Sequence, residues 1–249
     1  MSAWPDGYGL HVLEEVDSTL DEAARIAPRM AGPVWIMARR QTKGRGRRAR
    51  AWADPAGNLS STLVMRPEGT PAQAALRSFV AALALFDAVV AATGRAQGLA
   101  LKWPNDVLLN GGKLAGILLE SSGSGQGLGH LAIGIGVNLA EAPAPEVVEP
   151  GAVRPVSLLS ETGVAVTPDE FLTELAAAYA RFETQFRTHG FGPIRLAWLD
   201  RAARLGEVIT ARTGRSETTG TFETVDEQGN LVLNTAEGRV SIPAADIYF

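Results

Sequence analysis

A chain of 249 residues and 26.3 kDa, 46% hydrophobic and 20% charged, is long enough to bury roughly 70–75% of the surface its unfolded form exposes; that excludes a disordered chain or charged tail. Cysteine is absent, which excludes a disulfide scaffold, a cysteine nucleophile and a thiolate metal site. The net charge is only −4, yet residues 39–50 (RRQTKGRGRRAR) hold seven cations and no acid while the remainder holds 16 cations against 27 acids, a pattern of one local anion site rather than a general polyanion face.

His11, His130 and His189 are far apart and make no ligand spacing. The start, MSAWPDGYGL, lacks the cationic and apolar regions of a signal peptide. The most apolar run, 79–92, is interrupted by Asp87; it is short for a membrane span and suits a buried helix. By elimination the expected compartment is the cytosol.

The first predicted element is a helix after Val16, capped by Ser18 or Thr19, with Thr19 and Glu22 spaced as a capping box and Pro28 marking its end. Residues 33–38 (PVWIMA) read as a buried strand, and 55–58 as a turn after the basic loop. Residues 59–65 alternate well enough for a strand. Thr70, Pro71 and Gln73 open a helix whose face is Leu76, Phe79, Val80, Leu83 and Val90, stopped by Gly94. Strands at 99–103 and 107–109 lead through Asn110-Gly111-Gly112 to a returning strand at 114–120, a hairpin. Residues 121–129 are Ser/Gly-rich and read as a flexible loop, 131–138 as a strand, and 140–155 as irregular. Thr167 and Glu170 cap a long helix with Phe171, Leu175, Phe182 and Phe186 on one face, closed by Gly190; a further helix spans about 193–204. From Gly206 short strands alternate with Gly-containing turns, as in a small β barrel. The absence of regular βαβ alternation favours an α+β fold, a mixed sheet with helices packed on one face. Two domains are expected, 1–205 and 206–249.

Four stretches carry chemistry. Gly44-Arg45-Gly46-Arg47-Arg48-Ala49 matches the dinucleotide fingerprint G-x-G-x-x-G/A, but 51–57 do not read as the helix that such a loop opens. Two readings remain. One is a solvated or RNA-binding basic loop. The other is a mobile loop in which glycines expose backbone N–H groups, arginines fork onto phosphate oxygens, and Trp52 offers a face to a base. Lys102-Trp103-Pro104-Asn105-Asp106 places an amide and a carboxylate at a strand end, suited to a metal or a nucleophile and equally to a plain turn. Lys113 opens the apolar strand Leu114-Ala115-Gly116-Ile117-Leu118 near them: an anion-neutralising lysine, or an ordinary solvated strand end. Gly134 and Gly136 within a strand indicate close approach of a ligand, or of another backbone in helix-on-sheet packing. The chain contains no Gly-Lys-Ser/Thr and no Gly-x-Ser-x-Gly, so a P-loop NTPase and an α/β-hydrolase are not expected.

Taken in order, Gln41-x-x-Gly44-Arg45-Gly46-Arg47-Arg48-x-Arg50-x-Trp52, Lys102-Trp103-Pro104-Asn105-Asp106, Lys113-x-x-Gly116-Ile117-Leu118 and Gly134-x-Gly136-x-Asn138 resemble the biotin–protein ligases, the enzymes also called biotin–[acetyl-CoA-carboxylase] ligases. Glu14-x-x-Asp17-Ser18-Thr19 resembles that family's first substrate motif. The resemblance covers about 12–140 by motif and the rest by layout. It implies an SH3-like form for the tail barrel and a two-step reaction. Biotin and ATP give biotinyl-5′-AMP and pyrophosphate; the acyl group then passes to a lysine of a biotin carboxyl carrier protein of acetyl-CoA carboxylase or a related carboxylase. ATP with Mg²⁺ and biotin are then substrates and activator; no permanently bound cofactor and no protein metal site are implied.

Carried over by motif, the resemblance implies that Ser18, Thr19, Leu20, Gln41, Arg45, Gly46, Arg47, Lys113 and Gly116 bind biotin. Arg47, Trp52, Asn105, Asp106, Lys113 and Asn138 then meet the nucleotide, and Lys113, Arg47 and Asp106 are catalytic. A loop closing over the hydrolysable mixed anhydride has a physical purpose. Three positions depart from the pattern: Leu20 where Asn is usual, Lys43 where Ala is usual, and Ala49 where Gly is usual. A positive φ at Ala49 is costly. The short lead before the first motif implies a ligase without DNA binding; no membrane partner is expected, and the oligomer is a monomer or weak homodimer. The rivals are a lipoate–protein ligase, whose Arg-Arg-x-Ser-Gly-Gly-Gly motif is missing, a basic-loop nucleic-acid-binding protein, and a non-catalytic homologue.

Overall fold

The computed structural model describes residues 2–53, 55–123, 128–144, 152–213 and 216–248. Seven strands form its larger sheet: β1 (Gly9–Leu13), β2 (Val34–Ala38), β3 (Leu59–Met65), β4 (Leu99–Lys102), β5 (Asp106–Leu109), β6 (Gly112–Ser122) and β7 (His130–Val137). Their spatial order is β1-β2-β3-β7-β6-β5-β4. β1 runs parallel to β2 and the other pairs are antiparallel, so the sheet is mixed. β1 was not foreseen. It is an edge strand whose Leu10 and Val12 are exposed, so its apolar positions carry no inward-facing signature.

Helix α1 (Thr19–Ile26) links β1 to β2. Ser18 is its cap, extended and accepting at Oγ from the Leu20 N–H. The expected box between Thr19 and Glu22 does not form, because Thr19 is already inside the helix and its hydroxyl goes elsewhere. Two helices follow β3: α2 (Pro71–Ala75), opened by the Thr70–Gln73 capping box, and α3 (Arg77–Thr93), closed by Gly94 at φ 73°. Residues 71–93 are, by length and composition alone, long and apolar enough to cross a membrane, more so than the 79–92 run suggested; most of that stretch is packed inside the fold. A short helix, α4 (Leu158–Thr162), was not foreseen; α5 (Pro168–His189) opens with the Thr167–Glu170 box as expected. The last helix, α6 (Phe191–Leu199), is shorter than the sequence suggested. The chain beyond it turns to satisfy the free edge of β4: the Leu101 N–H donates to the Arg201 carbonyl, and the Ala203 N–H to the Leu101 carbonyl, both at 2.8 Å.

The long helices α3 and α5 cover one face of the sheet, packing on Trp35, Met37, Leu63, Ile133 and Ile135. α1 covers the other face with Ile36, Val64 and Ala132. Burial on both faces explains why PVWIMA is continuously apolar. Between α3 and α5 lies a buried ion pair, Arg77 Nη2 to Glu183 Oε1 at 2.7 Å, with the guanidinium 4.9 Å from the Phe186 ring centre. Removing one partner of such a pair costs about 3–5 kcal/mol.

The remaining strands, β8 (Val208–Arg212), β9 (Glu217–Val225), β10 (Leu231–Thr235), β11 (Gly238–Ile242) and β12 (Asp246–Tyr248), form a small antiparallel sheet in the order β11-β10-β9-β8-β12. It is docked on the larger one. Trp103 Nε1 donates to the Gly229 carbonyl at 3.0 Å and Arg195 to that of Val225 at 2.7 Å. The architecture is the expected α+β arrangement with a mixed sheet, but its helices lie on both faces rather than one, because α1 buries Leu20 and Ala23 against Ile36, Val64 and Ala132. The Ser/Gly stretch 121–129 is only partly within the described residues, with 121 and 122 ending β6; 145–151 of the expected irregular segment also lie outside them.

Candidate active site

A cavity of about 260 Å³ opens on the β6–β7–β3 surface under the basic loop. Its floor is small by register: Gly116 of β6 pairs with Gly136 of β7, and Gly136 with Ser60 of β3. The glycines leave room for two large side chains. A methyl on Gly136 would lie 2.5 Å from the Trp52 indole, and one on Gly134 would lie 3.2 Å from Leu20. Leu20, 5% exposed, therefore packs on the sheet at the helical end of the cavity.

The basic loop folds back on itself, the Trp52 N–H donating to the Gly44 carbonyl at 2.9 Å and Gly46 to Arg50 at 2.8 Å. It makes no fingerprint helix, only a short turn at 47–49 in which Arg48 and Ala49 both take positive φ, 56° and 57°. The left-handed backbone that Gly usually supplies is thus adopted by Ala49, a strained position. The loop's charges are largely answered within the chain. Arg39 pairs with Asp169 and Arg40 with Glu15. Arg45 forks onto both Asp21 and Glu120 at 2.9–3.0 Å, which raises its pKa further. Asp246, at the start of β12, meets Arg48 at 2.5 Å, Arg50 at 3.3 Å and Arg47 at 3.7 Å. Arg47 also donates to the Ala245 carbonyl at 3.2 Å, and burial lowers its pKa against the pull of Asp246. The loop is therefore not an open cationic face of the kind nucleic acid uses, and Arg45 is a clip joining loop, α1 and β6 rather than a free anion receptor.

Opposite the loop stand Lys113 and Asp106, with Nζ and Oδ1 2.8 Å apart. Asn105 is tied to β6: its Nδ2 donates to the Ile117 carbonyl at 2.6 Å and its own carbonyl accepts from the Ile117 N–H at 2.9 Å. Lys102 beside them is largely buried, and desolvation lowers its pKa despite the attraction of Asp106. Asn138 is 2% exposed. Its amide Nδ2 donates to the Val156 carbonyl at 3.1 Å, while its Oδ1 has no hydrogen-bond partner among the described residues. At the other end the Thr19 N–H donates to Gln41 Oε1 at 2.9 Å, the Thr19 hydroxyl to the same oxygen at 3.1 Å, and the Thr62 hydroxyl to Thr19 Oγ1 at 2.8 Å.

The cavity brings together Thr19, Leu20, Gln41, Arg45, Gly46, Arg47, Trp52, Asn105, Asp106, Lys113, Gly116 and Asn138. Ser18 is not among its lining residues; it is buried in capping α1. Sequence reasoning missed Lys102, although it heads a quoted motif, and it missed Asp246, for which PAADIYF gives no sign. Among the described residues no three His, Asp or Glu side chains gather as a metal site. The lining holds five cationic side chains against the carboxylates of Asp106 and Asp246. Such a site draws two anions together and offsets their repulsion.

Residues 13–138 match the biotin/lipoate A/B protein ligase family, and 205–249 the biotin protein ligase C-terminal domain. The chain is 59% identical over 238 residues to a biotin–[acetyl-CoA-carboxylase] ligase of Paracoccus denitrificans, covering 96% of this chain and 99% of that one. It is 31% identical to the bifunctional ligase/repressor BirA of Bacillus spizizenii, covering 96% of this chain and 74% of the other. Its fold superposes on the biotin protein ligase from Aquifex aeolicus in complex with biotin and ATP with a TM-score of 0.81 at 28% identity, covering 96% and 97% of the two chains.

Proposed function

The chain belongs to the biotin/lipoate A/B protein ligase family, and from that membership we propose how its residues divide the work of ligation. It is an ATP-dependent biotin–protein ligase: biotin and ATP give biotinyl-5′-AMP and pyrophosphate, and biotin then passes to a lysine of a carboxylase carrier. The lipoate and nucleic-acid alternatives have no such support.

In our reading Thr19, Leu20 and Gln41 hold the biotin ring system, and Gly46 with Gly116 lets the chain approach it closely. Lys113 and Arg47 neutralise the biotin carboxylate and the α-phosphate as they meet, the largest catalytic contribution. Lys102 faces the departing pyrophosphate. Trp52 packs on the adenine, and the unpartnered Oδ1 of Asn138 accepts from a base N–H; a buried acceptor without a protein donor is one that a ligand N–H can satisfy in place of water. Arg45 contributes through its backbone, and Asn105 holds the Asp106 turn against β6. Asp106 steers Lys113 and, in the second step, takes a proton from the incoming lysine. Ser18 acts through the capping of α1, not by touching biotin. Mg²⁺ bound with the nucleotide supplies charge neutralisation on the phosphates. The phosphates would supply most of its ligands; Asp106, whose Oδ1 is taken by Lys113 at 2.8 Å, would offer at most its second carboxylate oxygen.

The observation that carries this reading is the convergence on one cavity of a hydroxyl–amide end, a glycine floor under Trp52 and a cationic end. Pyrophosphate release with purified protein, ATP, Mg²⁺ and either biotin or lipoate tests it. Biotin-dependent release followed by covalent biotin on a carrier domain is expected; release with lipoate alone, or none, overturns it.

We further read 1–205 as the catalytic domain and 206–249 as a small C-terminal domain, a cytoplasmic protein without membrane attachment, and a monomer or weak homodimer, with the exposed Leu10 and Val12 of β1 the surface for weak self-association. Sedimentation at micromolar concentration tests the last point. We also read it as a ligase without operator binding; a specific gel shift at physiological salt would contradict that.

A further inference from the structure

Thr62 lies in the middle of β3 with no exposed surface. A buried hydroxyl costs free energy unless it is used. Its hydrogen bond, among the described residues, goes to Thr19 Oγ1 at 2.8 Å. The directions along this chain are forced. A backbone N–H can only donate, so the Gln41 atom meeting the Thr19 N–H is the carbonyl oxygen Oε1. That oxygen can only accept, so the Thr19 hydroxyl proton points at it, at 3.1 Å. With its proton committed, Thr19 Oγ1 can only accept from Thr62. Two of the three tetrahedral directions about Oγ1 are thus filled, and the third carries a lone pair. Thr19 lines the cavity.

We propose that Thr62 is a positioning residue: Gln41 fixes the Thr19 hydroxyl as an acceptor toward the cavity, and the Thr62 proton holds that hydroxyl in place and fills one of its lone pairs, so that the remaining one is aimed at ring systems that present an N–H, such as a cyclic urea, over rings that present none, such as a dithiolane. This deepens the ligase reading above and rests on it. Hydrogen bonds in a chain polarise one another, so the Thr62 proton draws Thr19 into register and strengthens its bond to Gln41. The ring without a donor leaves a buried acceptor unanswered, a loss larger than a missing apolar contact.

Thr62→Val is nearly isosteric and removes only the donor; Thr62→Ser keeps it. The expected result is a KM for biotin raised about 3- to 10-fold in Thr62→Val, the scale of one net hydrogen bond, with kcat for pyrophosphate release close to wild type and with Thr62→Ser restoring the wild-type KM. A biotin analogue methylated on both ureido nitrogens gives the second arm. The wild type should discriminate against it more strongly than Thr62→Val does, by a similar factor. A Thr62→Val variant with unchanged melting temperature, unchanged KM and unchanged discrimination overturns the proposal. So does Thr62→Ser failing to restore KM, or a variant in which kcat falls and KM stays. If the wild type itself releases no pyrophosphate with biotin, the ligase reading has failed instead, and the two failures are distinct.

Discussion

The indole of Trp52 lies on the bare backbone of Gly136, so close that a methyl group there would come within 2.5 Å of the ring. A side chain at the end of the basic loop thus uses a gap in the centre of the sheet as its seat. Gly136→Ala should lift the indole off the floor. The expected outcome is a KM for ATP raised tenfold or more and an altered Trp fluorescence change on adding biotin and ATP, with the KM for biotin moving less. Equal effects on both substrates would mean that Trp52 serves the whole cavity and not its nucleotide end.

Lys113 is held 2.8 Å from Asp106 across the cavity from the basic loop. Lys113→Ala should lower the rate of adenylate formation by about 10²–10³, the scale for one preorganised charge contact. Quenched-flow measurement of biotinyl-AMP checks it; near-wild-type turnover removes Lys113 from the mechanism.

Ala49 sits at φ 57°, where an L side chain is strained and glycine is not. Ala49→Gly should favour the folded loop by about 0.5–1 kcal/mol, so that opening becomes roughly two- to fivefold rarer. Trypsin cleavage within 45–50 reads this directly. Faster nicking in the variant would place the strain elsewhere.

Asp246→Asn removes the carboxylate shared by Arg47, Arg48 and Arg50. Two consequences should part company. The cavity becomes more cationic, so the KM for ATP should not rise. The loop loses its far anchor, so biotinyl-AMP should escape to solvent severalfold faster. A filter-binding chase measures escape; an unchanged rate would show that Asp246 does not hold the loop.

Burial lowers the pKa of Lys102. A lysine binds phosphate only when protonated, and a lowered pKa brings the neutral form in at lower pH than for an ordinary lysine. The sign is therefore fixed: affinity for ATP is full at neutral pH and falls as pH rises through the Lys102 pKa, ahead of the normal lysine range. Lys102→Arg, charged throughout, should flatten that alkaline limb of the KM profile. A limb that persists in the variant belongs to another group.

The motifs were legible because their chemistry is local. A lysine at a strand start, a Pro-Asn-Asp turn and paired glycines announce themselves within a few residues, and the capping boxes at Thr70 and Thr167 did the same for the helices. The Thr19–Glu22 spacing misled for the converse reason: the local signal was present, but Gln41 and Thr62 had the stronger claim on the hydroxyl. Thr62 had no signature, since a threonine in a strand reads as β propensity. Asp246 was invisible because its partners lie almost 200 residues away, 198 for Arg48 and 196 for Arg50. β1 escaped because an edge strand with outward Leu10 and Val12 has no buried face to alternate with.

The last strand is in effect part of the basic loop's seat, although it is encoded at the other end of the chain. Ala245 and Asp246 hold the arginines, and residues 246–248 line the cavity. A tail transplanted from a relative is therefore an edit of the cavity wall. A grafted tail must bring a carboxylate to position 246 and a carbonyl to 245, or the loop meets a mismatched socket. Chimeras that exchange only the tail would then differ in how long they keep their adenylate, even with every residue of the four motifs left untouched.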